Sequence, residues 1–211
     1  MRHAFWPAVR ATLVLAFLTG LVYPLAMTAA AQLLFPDQAN GSLIKDASGK
    51  VVGSSLIGQN FKDPKYFHPR PSAAGNDGYD AANSSATNLG PTSDKLINGV
   101  HKPQKDGKDD PDNFDGVTDL VKAYREENKL GDNDPVPVDA VTRSASGLDP
   151  HISPANAKLQ TKRVAEARKM DPKIIEELIA KNTDPRSLGF LGEPGVNVLK
   201  LNVALDNAGK H

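Results

Sequence analysis

The amino-acid sequence predicts an α+β protein in which a single N-terminal transmembrane helix is followed by one extracytoplasmic α+β domain. Three observations lead to this prediction: a long uncharged apolar run, helix starts marked by proline, and short apolar stretches separated by loops. We expect a short cytoplasmic N-terminus over residues 1–10, a transmembrane helix over 11–35 and the outer domain over 36–211.

The apolar run 11–35 reads ATLVLAFLTGLVYPLAMTAAAQLLF and contains no charged residue. As a helix rising about 1.5 Å per residue it spans roughly 37 Å, enough to cross a hydrocarbon core of about 30 Å with some tilt. Gly20 and Pro24 lie inside the run, and membrane helices tolerate both residues better than soluble helices do. The run therefore predicts a membrane helix.

A cleavable signal peptide is the alternative interpretation of this segment. Arg2 and Arg10 provide a basic start, and the alanines 29–31 offer a small-residue cleavage site. Apolar residues resume at 33–35, however, and signal cores usually end sooner. The length of the run favours an uncleaved anchor.

The charges that flank the run predict its orientation. Arg2 and Arg10 precede it, whereas the next charged residue after it is Asp37 and the next cation is Lys45. The positive-inside rule then places the N-terminus in the cytoplasm and the remainder across the membrane, although Lys45 and Lys50 reduce the asymmetry.

Composition excludes several classes of function. Lys and Arg together number 25, as do Asp and Glu, and the basic residues are scattered, so we expect no nucleic-acid partner. The chain has no cysteine, which excludes disulfides, cysteine-based metal sites and thiol catalysis. An extracytoplasmic domain without disulfides fits a bacterial exterior better than a eukaryotic secretory one. The 17 glycines and 16 prolines predict many loops.

The first half of the outer domain is predicted to be mostly extended or loop. Val51–Ile57 is a strand candidate, 61–71 is an aromatic, proline-bearing extended segment, and 72–91 lacks periodicity. Residues 103–114 form a charged, exposed insertion. Its aspartates do not match the calcium-loop template, because the glycine at 116 would require an acid at Pro111.

The second half predicts helices with clear ends. Residues 117–130 have helical apolar spacing, and Ser153 with Pro154 marks the start of a helix that runs to about Arg168. Asp171 with Pro172 repeats that signal for a helix ending near Asn182. The alternation of apolar and polar residues over 196–205 predicts a closing strand.

No motif for hydrolysis or phosphate binding is present in the sequence. There is neither a Gly-x-Ser-x-Gly elbow nor a Walker loop, and His68 and His151 are each alone in their segments. Ser144, Ser146 and Gly147 precede a helix that carries Gln160, and the helix N-terminus could hold an anion. A turn followed by a helix cap explains the same residues more simply. The residues themselves indicate an anchored accessory domain.

Six stretches, in order behind one N-terminal span, together resemble one family. They are VGSSLIGQ at 52–59, YFHPRPSA at 66–73, the stretch 84–91 ending in NLGP, VPVD at 136–139, SGLDPHISP at 146–154 and VNVLKLN at 196–202. This arrangement resembles the C subunit of the Kdp-type potassium-transporting ATPase of bacteria over essentially the whole chain. The insertion 103–114 is less typical of that family.

The resemblance implies a subunit of a complex rather than an enzyme. Its expected partners are a channel-like potassium-conducting subunit, a P-type ATPase subunit, a small membrane peptide and membrane lipid. The sequence lacks the Asp-Lys-Thr-Gly-Thr stretch at which a P-type pump is phosphorylated. Catalysis is therefore expected in another chain, and no tightly bound cofactor is expected here.

The resemblance also implies one candidate site, a transient contact with ATP at Ser144, Ser146, Gly147 and Gln160, in which the subunit acts as a catalytic chaperone of the pump. The predicted topology conflicts with this, because ATP is cytoplasmic, so we prefer an outer domain that covers the mouth of the channel-like subunit. In the membrane helix, small residues and a proline predict a partner interface: Gly20, Pro24, Ala26, Thr28 and Ala30.

Three alternatives remain open at this point. One is a lipid-facing anchor with no specific helix partner. The second is a small-molecule-binding protein, secreted or anchored, with no role in transport. The third is an anchored hydrolase that uses His151 and a serine.

Overall fold

The computed structural model describes residues 2–104, 110 and 112–209. The chain divides into two compact units, Met1–Leu43 and Ile44–His211. An apolar N-terminal helix precedes a domain of mixed helix and sheet, which confirms the predicted α+β class.

The N-terminal unit is dominated by one apolar helical run. It consists of α1 (Arg2–Phe17), a π-helical turn (Leu18–Val22) and α2 (Tyr23–Leu34), followed by the short α3 (Pro36–Ala39). Within Ala4–Leu34 an 18-residue window has a mean hydropathy of 1.9, and the helix is long enough to cross a membrane.

Pro24 explains the π-helical turn. Proline has no N–H, and in a regular α-helix its ring would meet the carbonyl of Gly20, four residues earlier. The structure instead has Tyr23 donating its N–H to the carbonyl of Leu18, five residues back. The hydroxyl of Thr28 donates to the carbonyl of Pro24 at 2.8 Å, so this hydroxyl has its hydrogen-bond partner within the helix.

The second unit, which we call the outer unit, alternates short strands with helices. In chain order these are β1 (Leu43–Lys45), β2 (Val51–Ser54), α4 (Asp94–Asn98), α5 (Val117–Asn128), α6 (Val138–Val141), β3 (His151–Ile152), α7 (Pro154–Arg168), α8 (Pro172–Lys181), β4 (Thr183–Asp184), β5 (Gly195–Asn197) and α9 (Val198–Ala208). Strands β1 and β2 form one small sheet. Strands β3, β5 and β4 form an antiparallel sheet with β5 in the centre, in which Ile152 and Thr183 both face Val196.

The main core lies where α7, α8 and α9 cover this second sheet. Its buried members are Phe67, Ile152, Ala157, Val164, Ala165, Ile175, Ile179, Val196, Val198, Leu201 and Leu205. A smaller core joins α5 and α6 through Tyr124, Ala140 and Val141.

The helix starts predicted from proline and its preceding polar residue are confirmed. Ser153 caps α7 by accepting a hydrogen bond from the N–H of Asn156, and Asp171 caps α8 by accepting one from Lys173. Helix α5 occupies nearly all of the predicted range 117–130.

The strand predicted over 196–205 is wrong beyond its first two residues. Strand β5 ends at Asn197, whose side chain accepts a hydrogen bond from Lys200 N–H and so starts α9. Val198, Leu201 and Leu205 are buried, and their spacing of three and four residues is that of a helix face. The apolar residues of 196–205 fit both the two-residue spacing of a strand and the three- and four-residue spacing of a helix. Alternation alone was therefore misleading.

Two further expectations for the first half are refined by the structure. Strand β2 ends at Ser54 rather than Ile57, because the Ser54 hydroxyl accepts the N–H of Leu56 in a turn. Within the insertion 103–114, residues 105–109 and 111 lie outside the described residues. Asp110 and Asp112 both form ion pairs with Lys102.

Candidate functional site

The aromatic, proline-bearing stretch 63–70 is held between helices without pairing to a strand. We call it the clamped segment. Gln160 on α7 accepts a hydrogen bond from the N–H of His68 at 2.7 Å and donates one to the carbonyl of His68 at 3.1 Å. Asn202 on α9 likewise accepts a hydrogen bond from the N–H of Phe67 at 2.9 Å and donates one to the carbonyl of Phe67 at 3.0 Å. Two side-chain amides thus replace the neighbouring strand that this backbone would otherwise require.

Two arginines of α7 satisfy further carbonyls of the clamped segment. Arg163 donates through Nη1 to the carbonyls of Pro64 at 2.6 Å and Tyr66 at 3.0 Å, and Arg168 donates through Nε to that of Lys65 at 2.6 Å. Burial lowers the pKa of Arg163. A guanidinium remains charged under such a shift, so it serves as a permanent donor here.

The hydrogen-bonding capacity of Gln160 is fully used within the domain. Besides the two bonds to His68, Nε2 donates to Asn156 Oδ1 at 2.9 Å and Oε1 accepts from Arg163 Nη2 at 2.7 Å. A primary amide has two donors and two acceptor positions, and all four are occupied. Gln160 is only 1% exposed, so its side chain has a structural role in this conformation.

His68 is bound between two acceptors. Its Nδ1 lies 2.6 Å from Glu127 Oε1, and its Nε2 lies 3.0 Å from the carbonyl oxygen of Asp63. Burial acts to raise the pKa of Glu127, but the hydrogen bond from His68 and the charges of His68 and Arg163 outweigh it and lower this pKa.

A polar cleft of about 470 Å³ opens beside these residues. Its lining includes His68, Arg70, Tyr79, Tyr124, Glu127 and Gln160. Arg70 Nη1 binds Asp149 Oδ2 at 2.9 Å, and Tyr79 donates its hydroxyl to the carbonyl of Arg70 at 3.0 Å. Burial raises the pKa of the Tyr79 and Tyr124 hydroxyls, so both remain hydrogen-bond donors at physiological pH. Arg70 and Tyr79 of the lining are thus engaged within the domain, although Nε of Arg70 is buried without a hydrogen-bond partner among the described residues.

The sequence-predicted residues Ser144, Ser146 and Gly147 lie in the turn between α6 and β3. The carbonyl of Ser146 accepts from Ser84 Oγ at 2.9 Å, and that of Gly147 accepts from Ser72 Oγ at 2.7 Å. Across the described part of the chain, the hydrogen bonds of Ser144, Ser146 and Gly147 go to the 72–85 loop and to the turn itself, and none reaches Gln160. Ser144 Oγ is buried without a hydrogen-bond partner among the described residues.

Gly147 permits this turn to approach the loop closely. Its φ is +68°, a left-handed conformation that favours glycine. An added Cβ would lie 2.7 Å from both the Cβ of Ala74 and the carbonyl oxygen of Ser85. A structural requirement therefore explains glycine at this position.

His151 lies between two carboxylates. Its Nε2 is 3.0 Å from Asp184 Oδ2, and its Nδ1 is 3.8 Å from Asp149 Oδ1. The carboxylates lie at opposite ring nitrogens, and neither contact involves a serine hydroxyl. This arrangement gives no support to the hydrolase alternative.

One group in the described residues has the composition of a metal site. Potential ligand atoms of His101, Asp115 and Asp119 lie within 4.8 Å of one another. Asp119 is already engaged, because its Oδ2 accepts from the N–H of Gly116 at 2.8 Å at the start of α5 and lies 3.0 Å from His101 Nε2. A helix cap accounts for the first contact and a side-chain hydrogen bond for the second.

Comparison with known families decides the relationship of the chain. The family model described as "KdpC: K+-transporting ATPase, c chain" matches residues 5–207. The chain belongs to the KdpC family. The family predicted from the six ordered motifs is thereby confirmed.

Relatives named "Potassium-transporting ATPase KdpC subunit" match nearly the whole chain. The protein of Mycobacterium bovis (strain BCG / Pasteur 1173P2) is 53% identical over 206 residues, covering 98% of this chain and 99% of the relative. That of Koribacter versatilis is 50% identical over 206 residues, covering 98% and 95%. That of Bradyrhizobium diazoefficiens is 51% identical over 213 residues, covering 96% of each.

The stretches by which the chain resembles the KdpC family contact one another in the structure. Stretch 66–73 belongs largely to the clamped segment and binds stretch 196–202 through Asn202. Stretch 146–154 binds 52–59, because Gly58 donates its N–H to the carbonyl of Leu148 at 2.9 Å, and β3 within it pairs with β5. These motifs therefore form the scaffold of the outer unit.

Sequence reasoning missed the residues that hold this scaffold together. Arg163 and Glu127 lie in no recognised motif, the role of Asn202 within the stretch 196–202 was not foreseen, and each of the three acts on a segment far away in the sequence. One signal was available: Asn202 interrupts an otherwise apolar helix face, and a buried amide needs partners.

Proposed function

We propose that this chain is an accessory, non-catalytic subunit of an ATP-driven potassium uptake complex in a bacterial inner membrane. Its proposed partners are a channel-like subunit, a P-type ATPase subunit and a small membrane peptide. The nearly full-length match to proteins named as potassium-transporting ATPase subunits supports this assignment. The N-terminal helix anchors the chain with its first residues in the cytoplasm and residues 36–211 in the periplasm.

We assign the outer domain a bracing role at the periplasmic mouth of the channel-like subunit. The observation that supports this role is the complete use of the Gln160 amide by His68, Asn156 and Arg163. A domain whose buried polar side chains bind its own backbone is suited to present a stable surface to a partner.

The competing proposal is a transient ATP contact at Ser144, Ser146, Gly147 and Gln160. One observation favours it, since Ser144 Oγ lacks a hydrogen-bond partner among the described residues. Binding through Gln160 would, however, require its present bonds to break. In the proposed orientation the site would also lie on the side of the membrane without ATP.

The membrane helix supplies a second contact in this proposal. Gly20, Pro24, Ala26, Thr28 and Ala30 are small or kink the backbone, which allows close approach of another helix. The π-helical turn beside Pro24 is a local feature that a neighbouring helix can recognise.

Mass spectrometry of the proteins that co-purify in mild detergent tests the assignment. We expect a P-type ATPase and a multi-span channel-like subunit, with residues 1–35 of this chain still attached. A soluble chain that lacks these residues and any partner would overturn the proposal. The small-molecule-binding alternative would then take its place.

A further inference from the structure

A groove of about 760 Å³ is formed by the first half of α7 and by the stretch 128–137, which begins at the end of α5. We call it the α7 groove. Its apolar lining comes chiefly from Leu130, Pro135, Val136, Pro137 and Leu159. A concave apolar surface of this volume is typical of a binding site.

The apolar wall of the α7 groove is an extension of a packed core. Leu130, Val136 and Leu159 are half-buried, and all three pack against the smaller core between α5 and α6. Side chains held in this way keep their positions, so the shape of the groove is formed before a ligand arrives.

The ionisable lining of the α7 groove is mainly cationic. Lys129, Lys158 and Lys162 line it together with one carboxylate, that of Asp134, which already accepts a backbone N–H at 2.7 Å. Lys129 Nζ lies 2.5 Å from Glu166 Oε2. The hydrogen bond from Lys129 is the main cause of the lowered pKa of Glu166, and the charge of Lys162 contributes less. Lys158 and Lys162 are exposed and form an ion pair with no described residue, so the groove is complementary to an acidic ligand.

The spacing of these two lysines matches an extended peptide. Lys158 and Lys162 are four residues apart on α7, so they lie on one face about 6 Å apart along the axis. Side chains two residues apart in an extended chain also share a face and are separated by roughly 6.8 Å. Acidic residues at alternate positions of an extended segment can therefore reach both lysines.

Val136 offers backbone groups that a peptide can bind and an acyl chain cannot. Val136 and Asp134 each precede a proline, which favours an extended conformation. Within the described part of the chain, neither the N–H nor the carbonyl of Val136 forms a hydrogen bond. One residue of an extended peptide can exchange both bonds with it, as in an antiparallel pair of strands. The flanking prolines limit this pairing to a single residue.

We propose that the α7 groove binds an extended acidic segment of another subunit of the complex. Its carboxylates pair with Lys158 and Lys162, and its backbone pairs with Val136. This rests on the proposed function. Exposed ion pairs contribute little by themselves, but the membrane helix already ties the chain to the assembly, and a tethered contact needs little intrinsic affinity.

Photocrosslinking in the intact complex tests which molecule occupies the groove. Ala155 is exposed and lines the groove, so benzoylphenylalanine is introduced there. Irradiation should link position 155 to a segment of another subunit with Asp or Glu at alternate positions, identified by mass spectrometry. In an intact complex, a link only to lipid, only to a second copy of this chain, only to a segment without acidic residues, or to nothing overturns the docking and leaves the proposed function standing. A wild-type chain that co-purifies with no subunit overturns both.

Charge reversal with a matched control tests the role of the lysines. Adding Lys158→Glu and Lys162→Glu to the photoreactive chain should lower the crosslinked yield roughly fivefold or more, because like charges then face each other. Arginine at both positions keeps the charge and should retain the yield. Lys173→Glu with Lys181→Glu makes the same change in charge at exposed positions of α8 outside the groove, and should lower the yield less than about twofold. Equal losses for the two glutamate pairs, with unchanged unfolding midpoints, would contradict the proposal.

Discussion

The side-chain amide of Gln160 binds the backbone of His68 at two points, donating to its carbonyl and accepting from its N–H. Asn202 binds the preceding residue, Phe67, in the same manner. The clamped segment contains prolines at 64 and 69, which cannot donate to a sheet ladder. Side-chain amides can replace the ladder, because each amide forms hydrogen bonds with the backbone N–H and carbonyl of a single residue. No continuous strand is required.

Replacing Gln160 separates a structural role from a nucleotide-binding role. Gln160→Ala removes both bonds to His68 and one acceptor for Arg163, so the free energy of unfolding of the full chain should fall by about 2–4 kcal/mol. In the assembled complex, the KM for ATP should not change. Denaturant titration and ATPase kinetics measure the two quantities.

Lys158→Ala is the matched control for this substitution, because Lys158 is exposed on the same helix. It should shift the free energy of unfolding by less than about 0.5 kcal/mol. A clear rise in the KM for ATP with Gln160→Ala, and none with the control, would refute the bracing role and support the ATP contact.

Gly147→Ala tests whether glycine is required for packing. The new Cβ meets the carbonyl oxygen of Ser85 at 2.7 Å and is also strained by the positive φ, so we expect a loss of about 3 kcal/mol in the free energy of unfolding. Gly49→Ala has a similar φ of +82° but open space around the Cβ, and should lose only about 1 kcal/mol. Thermal or denaturant unfolding measures the difference, and equal losses would show that the close approach has no energetic weight.

Acidification should weaken the outer domain through Glu127. The folded state lowers the pKa of this carboxyl below its ordinary value of 4.5, so its ionised form contributes stability above that value. That contribution is lost as the pH falls through the folded-state pKa. Glu127→Gln should therefore flatten the decline of the unfolding midpoint below about pH 4.5, whereas Glu126→Gln, on the same helix, should leave the decline as in the wild type. Parallel declines in all three proteins would contradict the prediction.

The membrane helix is tested at its smallest residue. Gly20→Leu adds a bulky side chain within the π-helical turn, and we expect the yield of co-purified subunits to fall at least threefold as close helix packing is lost. Gly20→Ala keeps the surface small and should retain them. Full retention with leucine at this position would favour the anchor that faces lipid alone.

Local signals made the helices α7 and α8 predictable, because Ser153 and Asp171 each cap the helix that begins at the next residue, a proline. The end of the chain was misassigned because Asn197 acts as a cap only when the residues after it turn into a helix. The pairing of His68 with Gln160 could not be predicted, because 92 residues separate them and no periodic pattern in the sequence links the two positions. Local rules therefore predict where the helices begin, whereas the contacts of the clamped segment depend on tertiary packing.

The clamped segment also fixes the order in which this domain can mature. Phe67 is 135 residues from Asn202, so the early part of the chain finds its hydrogen-bonding partners only after α9 has been synthesised. Until then, the clamped segment lacks these partners, and closing so long a loop slows folding. Truncation before Asn202 would therefore leave the whole domain as a substrate for proteases, however complete its first half.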